Sequence, residues 1–226
     1  MSDNKVVRLP AAQQIPGIMS EMQKAADTLE EIGWGVSIFG SARIKPDSPY
    51  YALSEAIGSR LAKAGLTVIA GGGPGIMEAA NKGAFQAGGK SVGLNINLPH
   101  EASCNQYQTH SLAFDYFYSR KATFFMHSAA YIAMPGGFGT LDELFEVMTL
   151  VQTRKVPAAP IILIGVSFWT GLIDWIKANL LANHLIGPQD LHLLTITDDL
   201  DVAMRHIEMF CSHLAEEDNY APALPE

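Results

Sequence analysis

The chain is poor in cysteine, in positive charge and in long apolar runs, and each shortage closes off a class of function. Cys104 and Cys211 are its only cysteines, and two such cysteines behind no signal peptide fit a reducing cytoplasm. Lys and Arg number 15 against 23 Asp and Glu, a net charge of −8, whereas a nucleic-acid or membrane surface needs clustered cations. Neither partner is expected. An anionic ligand must instead be held locally, by backbone N–H groups and one or two basic side chains, which points to a small molecule. The longest apolar-rich stretch, 161–176, is broken by Gly165, Ser167, Thr170, Gly171 and Asp174, too short and too polar to span a bilayer. The opening Met1-Ser2-Asp3-Asn4-Lys5 lacks the apolar run of a secretory signal. A soluble cytoplasmic protein is therefore expected.

Several catalytic signatures are missing too. The 7 histidines show no His-Glu-x-x-His or paired-ligand spacing, so no metal site is expected. No Gly-x-Ser-x-Gly elbow supports a serine hydrolase. No Gly-x-x-x-x-Gly-Lys-Ser/Thr loop awaits a triphosphate, and Gly-x-Gly-x-x-Gly does not follow the first strand, as a dinucleotide fold requires.

What is present is glycine, 20 residues of it, in a chain that is 48% hydrophobic and 17% charged, a globular composition. Short apolar runs at 36–39, 67–70, 91–96, 129–134, 160–164 and 193–196 alternate with helical patterns at 50–64, 76–87, 119–127, 141–153, 169–183 and 200–213. A further helix is predicted over 18–32, and a less regular extended piece near 109–114. This alternation predicts an α/β fold, a doubly wound parallel sheet with helices on both faces. Its organisation reads as a helical extension over 1–34, one nucleotide-binding domain over 35–215 and a flexible tail over 216–226. The stretch 99–118 shows no firm periodicity and reads as a lid or an excursion at the sheet edge.

Three strand-to-helix turns carry unusual residues: Gly40-Ser41-Ala42-Arg43, Gly71-Gly72-Gly73-Pro74-Gly75 and Pro135-Gly136-Gly137-Phe138-Gly139-Thr140. Ligands of doubly wound sheets bind beyond the carboxyl ends of the strands, at the switch point. There the turns after the first and fourth strands should face each other, with the second alongside. A helix N-terminus behind glycines offers unpaired N–H donors and a favourable dipole to an anion. The last turn meets that need, and Thr140 adds a hydroxyl. Either glycine cluster alone is also explained by a sharp chain reversal, but three such turns at one sheet edge favour a phosphate site.

Two charged groups accompany the turns. Thr140-Leu141-Asp142-Glu143 reads plainly as a capping box, with Thr140 as N-cap and Glu143 reaching back. Functionally, Glu143 would face the crevice as a base or as a stabiliser of positive charge. Ser119-Arg120-Lys121 opens a helix, where cations are disfavoured by the dipole. It is either a solvated basic turn or a pair facing an anion, with Arg120 the better suited to planar recognition.

Gly71-Gly72-Gly73-Pro74-Gly75-Ile76-Met77-Glu78-Ala79-Ala80-Asn81, Ser119-Arg120-Lys121 and Pro135-Gly136-Gly137-Phe138-Gly139-Thr140-x-x-Glu143 resemble the LONELY GUY family of cytokinin riboside 5′-monophosphate phosphoribohydrolases. The resemblance spans about 36–196. It implies a Rossmann-like fold, a dimer or multiple of dimers with sites near the subunit interface, and no cofactor. The reaction it implies is hydrolysis of the N-glycosidic bond of AMP or an N6-substituted AMP to free base and ribose 5-phosphate. Arg120 and Glu143 become the catalytic pair. Gly136, Gly137, Gly139 and Thr140 hold the phosphate, and Gly72, Gly73, Lys121, Asp142, Ser41 and Met77 line the substrate site. A non-catalytic nucleotide or molybdenum-cofactor carrier on the same fold is the alternative. Family members are often labelled lysine decarboxylases, yet no lysine stands obviously in the glycine crevice for a Schiff base.

Overall fold

The computed structural model describes residues 10–98 and 104–218. The order of elements is α1 (Ala11–Leu29), β1 (Gly35–Phe39), α2 (Pro49–Lys63), β2 (Thr67–Ala70), α3 (Ile76–Gln86), β3 (Ser91–Ile96), β4 (His110–Phe114), α4 (Phe117–Met126), β5 (Ser128–Ala133), α5 (Phe138–Gln152), β6 (Ile161–Leu163), α6 (Val166–Trp175), β7 (Leu194–Ile196) and α7 (Leu200–Asp218). Among the described residues, seven strands form one parallel sheet in the order β4-β3-β2-β1-β5-β6-β7.

The sheet reads as near-continuous apolar runs because both faces are covered. Alternate residues divide the core in two. Phe39, Ile69, Leu94, Tyr131 and Leu163 face helices α1, α4, α5 and α6, where Leu29, Phe124, Val147 and Trp169 meet them. Val36, Ile38, Val68, Ile132 and Ile162 face α2, α3 and α7, against Leu61, Ala80 and Ile207. Pairs β1–β2 and β1–β5 are both hydrogen-bonded, so the strand order reverses beside β1. The turns that follow β1, β2 and β5 therefore meet at one edge of the sheet.

Several boundaries differ from the sequence reading. The extended piece near 109–114 is a full strand, β4, at the sheet edge; its alternating burial explains its weak apolar signal. That strand makes 110–114 of the 99–118 stretch part of the sheet edge, while positions 99–103 lie outside the described residues. Helix α1 runs Ala11–Leu29 with Pro16 inside it, earlier at both ends than predicted. The helix expected at 169–183 is α6 followed by a π-helical turn, Ile176–Leu181. Helix α7 reaches Asp218, so 216–218 continue a helix, and 219–226 lie outside the described residues.

Candidate active site

Helix α5 begins at Phe138 with Gly137 as N-cap, and Gly137 offers no capping side chain. The first ladder bond runs from the Leu141 N–H to the Gly137 carbonyl, 3.0 Å. The N–H groups of Phe138, Gly139 and Thr140 thus precede the ladder at the positive end of the dipole. The capping box does not form: Thr140 lies inside the first turn, not at the N-cap, and is buried. The glycines of this turn divide into two kinds. A Cβ on Gly136 would strike the Thr140 side chain, whereas one on Gly137 or Gly139 would meet nothing within 4 Å. The open side of the cradle is at Gly137 and Gly139.

The β2 turn is packed instead. Gly72 has φ +77° and Gly75 φ +69°, conformations that disfavour any side chain. A Cβ on Gly72 would collide with Asn95, and one on Gly75 with the Ser41 carbonyl. Gly71 and Gly73 both lie beneath the Met77 thioether. The Gly72 carbonyl accepts three donors: the Asn105 N–H at 2.8 Å, Asn105 Nδ2 at 3.0 Å and Gln108 Nε2 at 3.0 Å. Asn105 Nδ2 also reaches Asn81 Oδ1 at 3.0 Å, and Asn95 Nδ2 reaches Gln108 Oε1 at 3.1 Å. Asn105 and Gln108 went unnoticed in the sequence because they sit in an aperiodic stretch more than thirty residues from the glycine they hold. Nothing in the residues around them marks that partner.

Ser41 fastens the three turns together through its backbone. Its N–H donates to the Pro135 carbonyl and its carbonyl accepts from the Ile76 N–H, each at 3.1 Å. Its hydroxyl accepts the Arg43 N–H at 3.1 Å. Ser41 is thus the joint at the switch point.

Arg120 is 7% exposed, which removes the solvated-turn reading. Its Nε donates to the Leu94 carbonyl at 2.7 Å and its Nη2 to the Gly71 carbonyl at 3.3 Å. The guanidinium carbon lies 5.4 Å from the Phe124 ring centre. Arg120 Nη1 stands 3.7 Å from Glu143 Oε1, whose side chain is 14% exposed. Burial pushes the Glu143 carboxyl up to about 7, against the pull of Arg120 and Lys121; Asp142 and Glu146 push it further up. The helix dipole does not decide this charge, as the sequence reading had it: Glu143 sits beyond the first turn, and desolvation wins.

Lys121 leaves the crevice wall for α5. Its Nζ pairs with Asp142 Oδ2 at 3.1 Å and Glu146 Oε2 at 2.7 Å, the latter outside hydrogen-bond alignment. Burial works against its charge, but the Glu146 and Asp142 carboxylates hold its pKa above the ordinary value. The structure therefore brings Gly136, Gly137, Gly139, Thr140, Arg120, Glu143, Gly72, Gly73, Met77 and Ser41 around the ends of β1, β2 and β5, with Lys121 and Asp142 paired to each other beside them. Among the described residues no group of three or more His, Cys, Asp or Glu side chains is placed to hold a metal. No described helix is long and apolar enough to cross a membrane. An apolar cavity of about 660 Å³ opens at the other end of the sheet, lined by Leu29, Trp34, Phe125 and Phe210 among others. It contains none of these groups.

Comparison with known proteins shows the family and the fold. A family profile described as "possible lysine decarboxylase" matches residues 77–207, more than half of the chain. A rice protein named probable cytokinin riboside 5′-monophosphate phosphoribohydrolase is 33% identical over 122 residues, 53% of this chain and 49% of the rice protein. The chain thus spans about half the length of that relative. A Mycobacterium tuberculosis protein named cytokinin riboside 5′-monophosphate phosphoribohydrolase is 29% identical over 186 residues, 76% of this chain and 92% of its own. In architecture the chain matches the molybdenum cofactor carrier protein of Chlamydomonas reinhardtii, with a TM-score of 0.59 at 19% identity over 79% of this chain and 98% of that one. That likeness concerns the fold alone. Since the profile covers both the α4 cations and the α5 cradle, the chain belongs to the family described as possible lysine decarboxylase, the LONELY GUY family of its curated relatives.

Proposed function

We propose that the protein hydrolyses the N-glycosidic bond of a nucleoside 5′-monophosphate, AMP or an N6-substituted AMP, to free base and ribose 5-phosphate. The observation that carries this reading is the buried Arg120–Glu143 pair, 3.7 Å apart, one helical turn beyond an open glycine cradle. The 5′-phosphate rests on the N–H groups of Phe138, Gly139 and Thr140, where Gly137 and Gly139 let it approach the backbone. Gly136 and the buried Thr140 give the cradle its shape. Gly72, Gly73 and Met77 form the opposite wall, Ser41 ties the walls together, and Lys121 with Asp142 borders the entrance.

Cleavage passes through an oxocarbenium-like state with positive charge on the ribose, and a fixed carboxylate stabilises that charge and orients the attacking water. Glu143 does this in its ionised form. Arg120 holds the carboxylate in place, itself fixed by the Leu94 and Gly71 carbonyls. Water adds at C1′, the bond to the base nitrogen breaks, and a proton returns to the base. No cofactor enters the balance. A decarboxylase reading is disfavoured by Lys121: its two carboxylate partners keep it protonated, the opposite of what a Schiff-base lysine needs.

The protein acts in the cytoplasm on a small-molecule nucleotide, with no nucleic-acid or membrane partner, and assembles as a dimer or a multiple of dimers. Support for assembly comes from Phe138, 93% exposed on the lip of the cradle, an apolar group that a second subunit would cover; light scattering tests it.

Incubation with AMP, isopentenyl-AMP and other monophosphates, followed by chromatography, tests the activity. Free base and ribose 5-phosphate are expected from wild type and nearly none from Glu143→Gln. Intact nucleotides throughout would refute hydrolysis. Ligand retained without turnover, and unaffected by Glu143→Gln, would favour a carrier instead.

A further inference from the structure

Helix α4 carries Arg120 to the site, yet its own sequence starts it poorly. Its N-cap, Tyr116, makes no side-chain cap, and its first turn holds no acidic residue. Arg120 and Lys121 follow directly after that first turn. A carboxylate of α1, 94 and 98 residues away in sequence, binds the chain on either side of that N-cap. Glu21 Oε1 accepts the Asp115 N–H at 2.7 Å. Its Oε2 accepts the hydroxyl of Ser119, the buried residue immediately before Arg120.

One turn earlier on α1, Gly17 faces the Tyr116 ring so closely that a Cβ would come within 2.8 Å of it. Ala25 and Leu29 of α1 are buried in the same core layer as Phe124 and Phe125 of α4. Two consecutive turns of α1 are thus fitted to the start of α4, and two buried residues seat the helix beneath them.

We propose that Glu21 is a positioning residue for Arg120, the N-terminal helix tethering the segment that opens α4 and so setting where its first turn sits on the sheet. The far end of the Arg120 side chain is fixed by the Gly71 and Leu94 carbonyls. Its backbone end is fixed by Glu21 through Asp115 and Ser119. Loosening the backbone end lets α4 drift and widens the gap between the guanidinium and Glu143. The kinetic consequence rests on the hydrolase reading above; the geometric consequence does not.

Three variants test this: Glu21→Ala, Glu21→Gln and Lys24→Ala, the last on the exposed face of the same helix. Each is assayed for kcat and KM with AMP, for thermal melting, and for the Glu143 carboxyl titration by 13C NMR. Glu143 is faced by Arg120 and Lys121 from α4 and by Asp142 and Glu146 on its own helix. Glu21→Ala is expected to lower kcat about tenfold or more, with a smaller change in KM. The Glu143 midpoint should move above about 7 as Arg120 withdraws. Glu21→Gln keeps an acceptor for the Asp115 N–H and should restore most of both, while Lys24→Ala changes neither. If Glu21→Ala does not fold, Gly17→Ala, which wedges the same joint by one methyl group, is read the same way. A lower melting temperature with wild-type kcat and an unmoved Glu143 titration would overturn the proposal. Should wild type turn over no nucleotide, the hydrolase reading fails alone, and the NMR titration still decides the role of Glu21.

Discussion

The turn after β2 and the turn after β5 have nearly the same composition and opposite uses of it. In 71–75 the space where a side chain would begin is occupied at Gly71, Gly72, Gly73 and Gly75 by Arg120, Asn95, Met77 and Ser41 in turn. Two of these glycines also hold positive φ. In 136–139 the space at Gly137 and Gly139 is empty. One turn uses glycine so that protein packs against backbone; the other leaves its backbone open, which is the room the proposed phosphate needs. Glycine content alone therefore marks a site only coarsely; what occupies the Cβ position tells a wall from a cradle.

The largest expected effect lies between the two turns. Glu143→Gln should lower kcat by about a thousandfold, about 4 kcal/mol of transition-state stabilisation, with the fold intact by circular dichroism. A variant within tenfold of wild type would remove Glu143 from the chemistry. Next comes the wall. Gly72→Ala should destabilise by about 3 kcal/mol, since it adds left-handed strain and displaces Asn95 from its amide partners. Urea denaturation reads this directly, and a loss below about 1 kcal/mol would mean that the wall is not packed as described.

The third effect is the pH dependence of Glu143. Its pKa in the fold is raised from 4.5 to about 7. The stability associated with that carboxyl is intact below about pH 4.5 and is lost as pH rises through about 7. Between pH 5 and 8 the stability difference should therefore shift toward Glu143→Gln, by at most about 3 kcal/mol. Unpairing the buried Arg120 sets an offset to that difference, so the change with pH, rather than its value at one pH, is the quantity to follow. A constant difference would place Glu143 in water. The smallest effect belongs to the cradle: Gly139→Ala should leave melting unchanged or slightly higher, because alanine favours a helix, while raising KM about tenfold by crowding the phosphate. Gly72→Ala losing stability and Gly139→Ala losing affinity is the contrast expected; the reverse pattern would exchange the roles of the two turns.

Much of this was legible in the sequence, for physical reasons that also explain the rest. The strands at 67–70 and 91–96 stand as predicted because buried parallel strands are continuous apolar runs. Edge strand β4 is faint because only Leu112 and Phe114 of its five residues are buried. That the glycine turns and the charged pair Arg120 and Glu143 meet at one sheet edge could be read because short glycine motifs and charges near helix starts leave local marks. The helix start itself was misplaced: Thr140 looked like a cap, but Gly137 takes that place and burial makes Thr140 part of the first turn. Asn105, Gln108 and Glu21 act across long separations, and nothing in their neighbours announces a distant partner. The raised Glu143 pKa was likewise hidden, since desolvation is a property of the assembled core.

The most direct test of the central claim is the product balance from AMP at neutral pH. Hydrolysis at the N-glycosidic bond requires adenine and ribose 5-phosphate in equal amounts, with neither adenosine nor inorganic phosphate, and loss of both products in Glu143→Gln. Adenosine with inorganic phosphate, or AMP recovered whole from the wild-type protein, would contradict it.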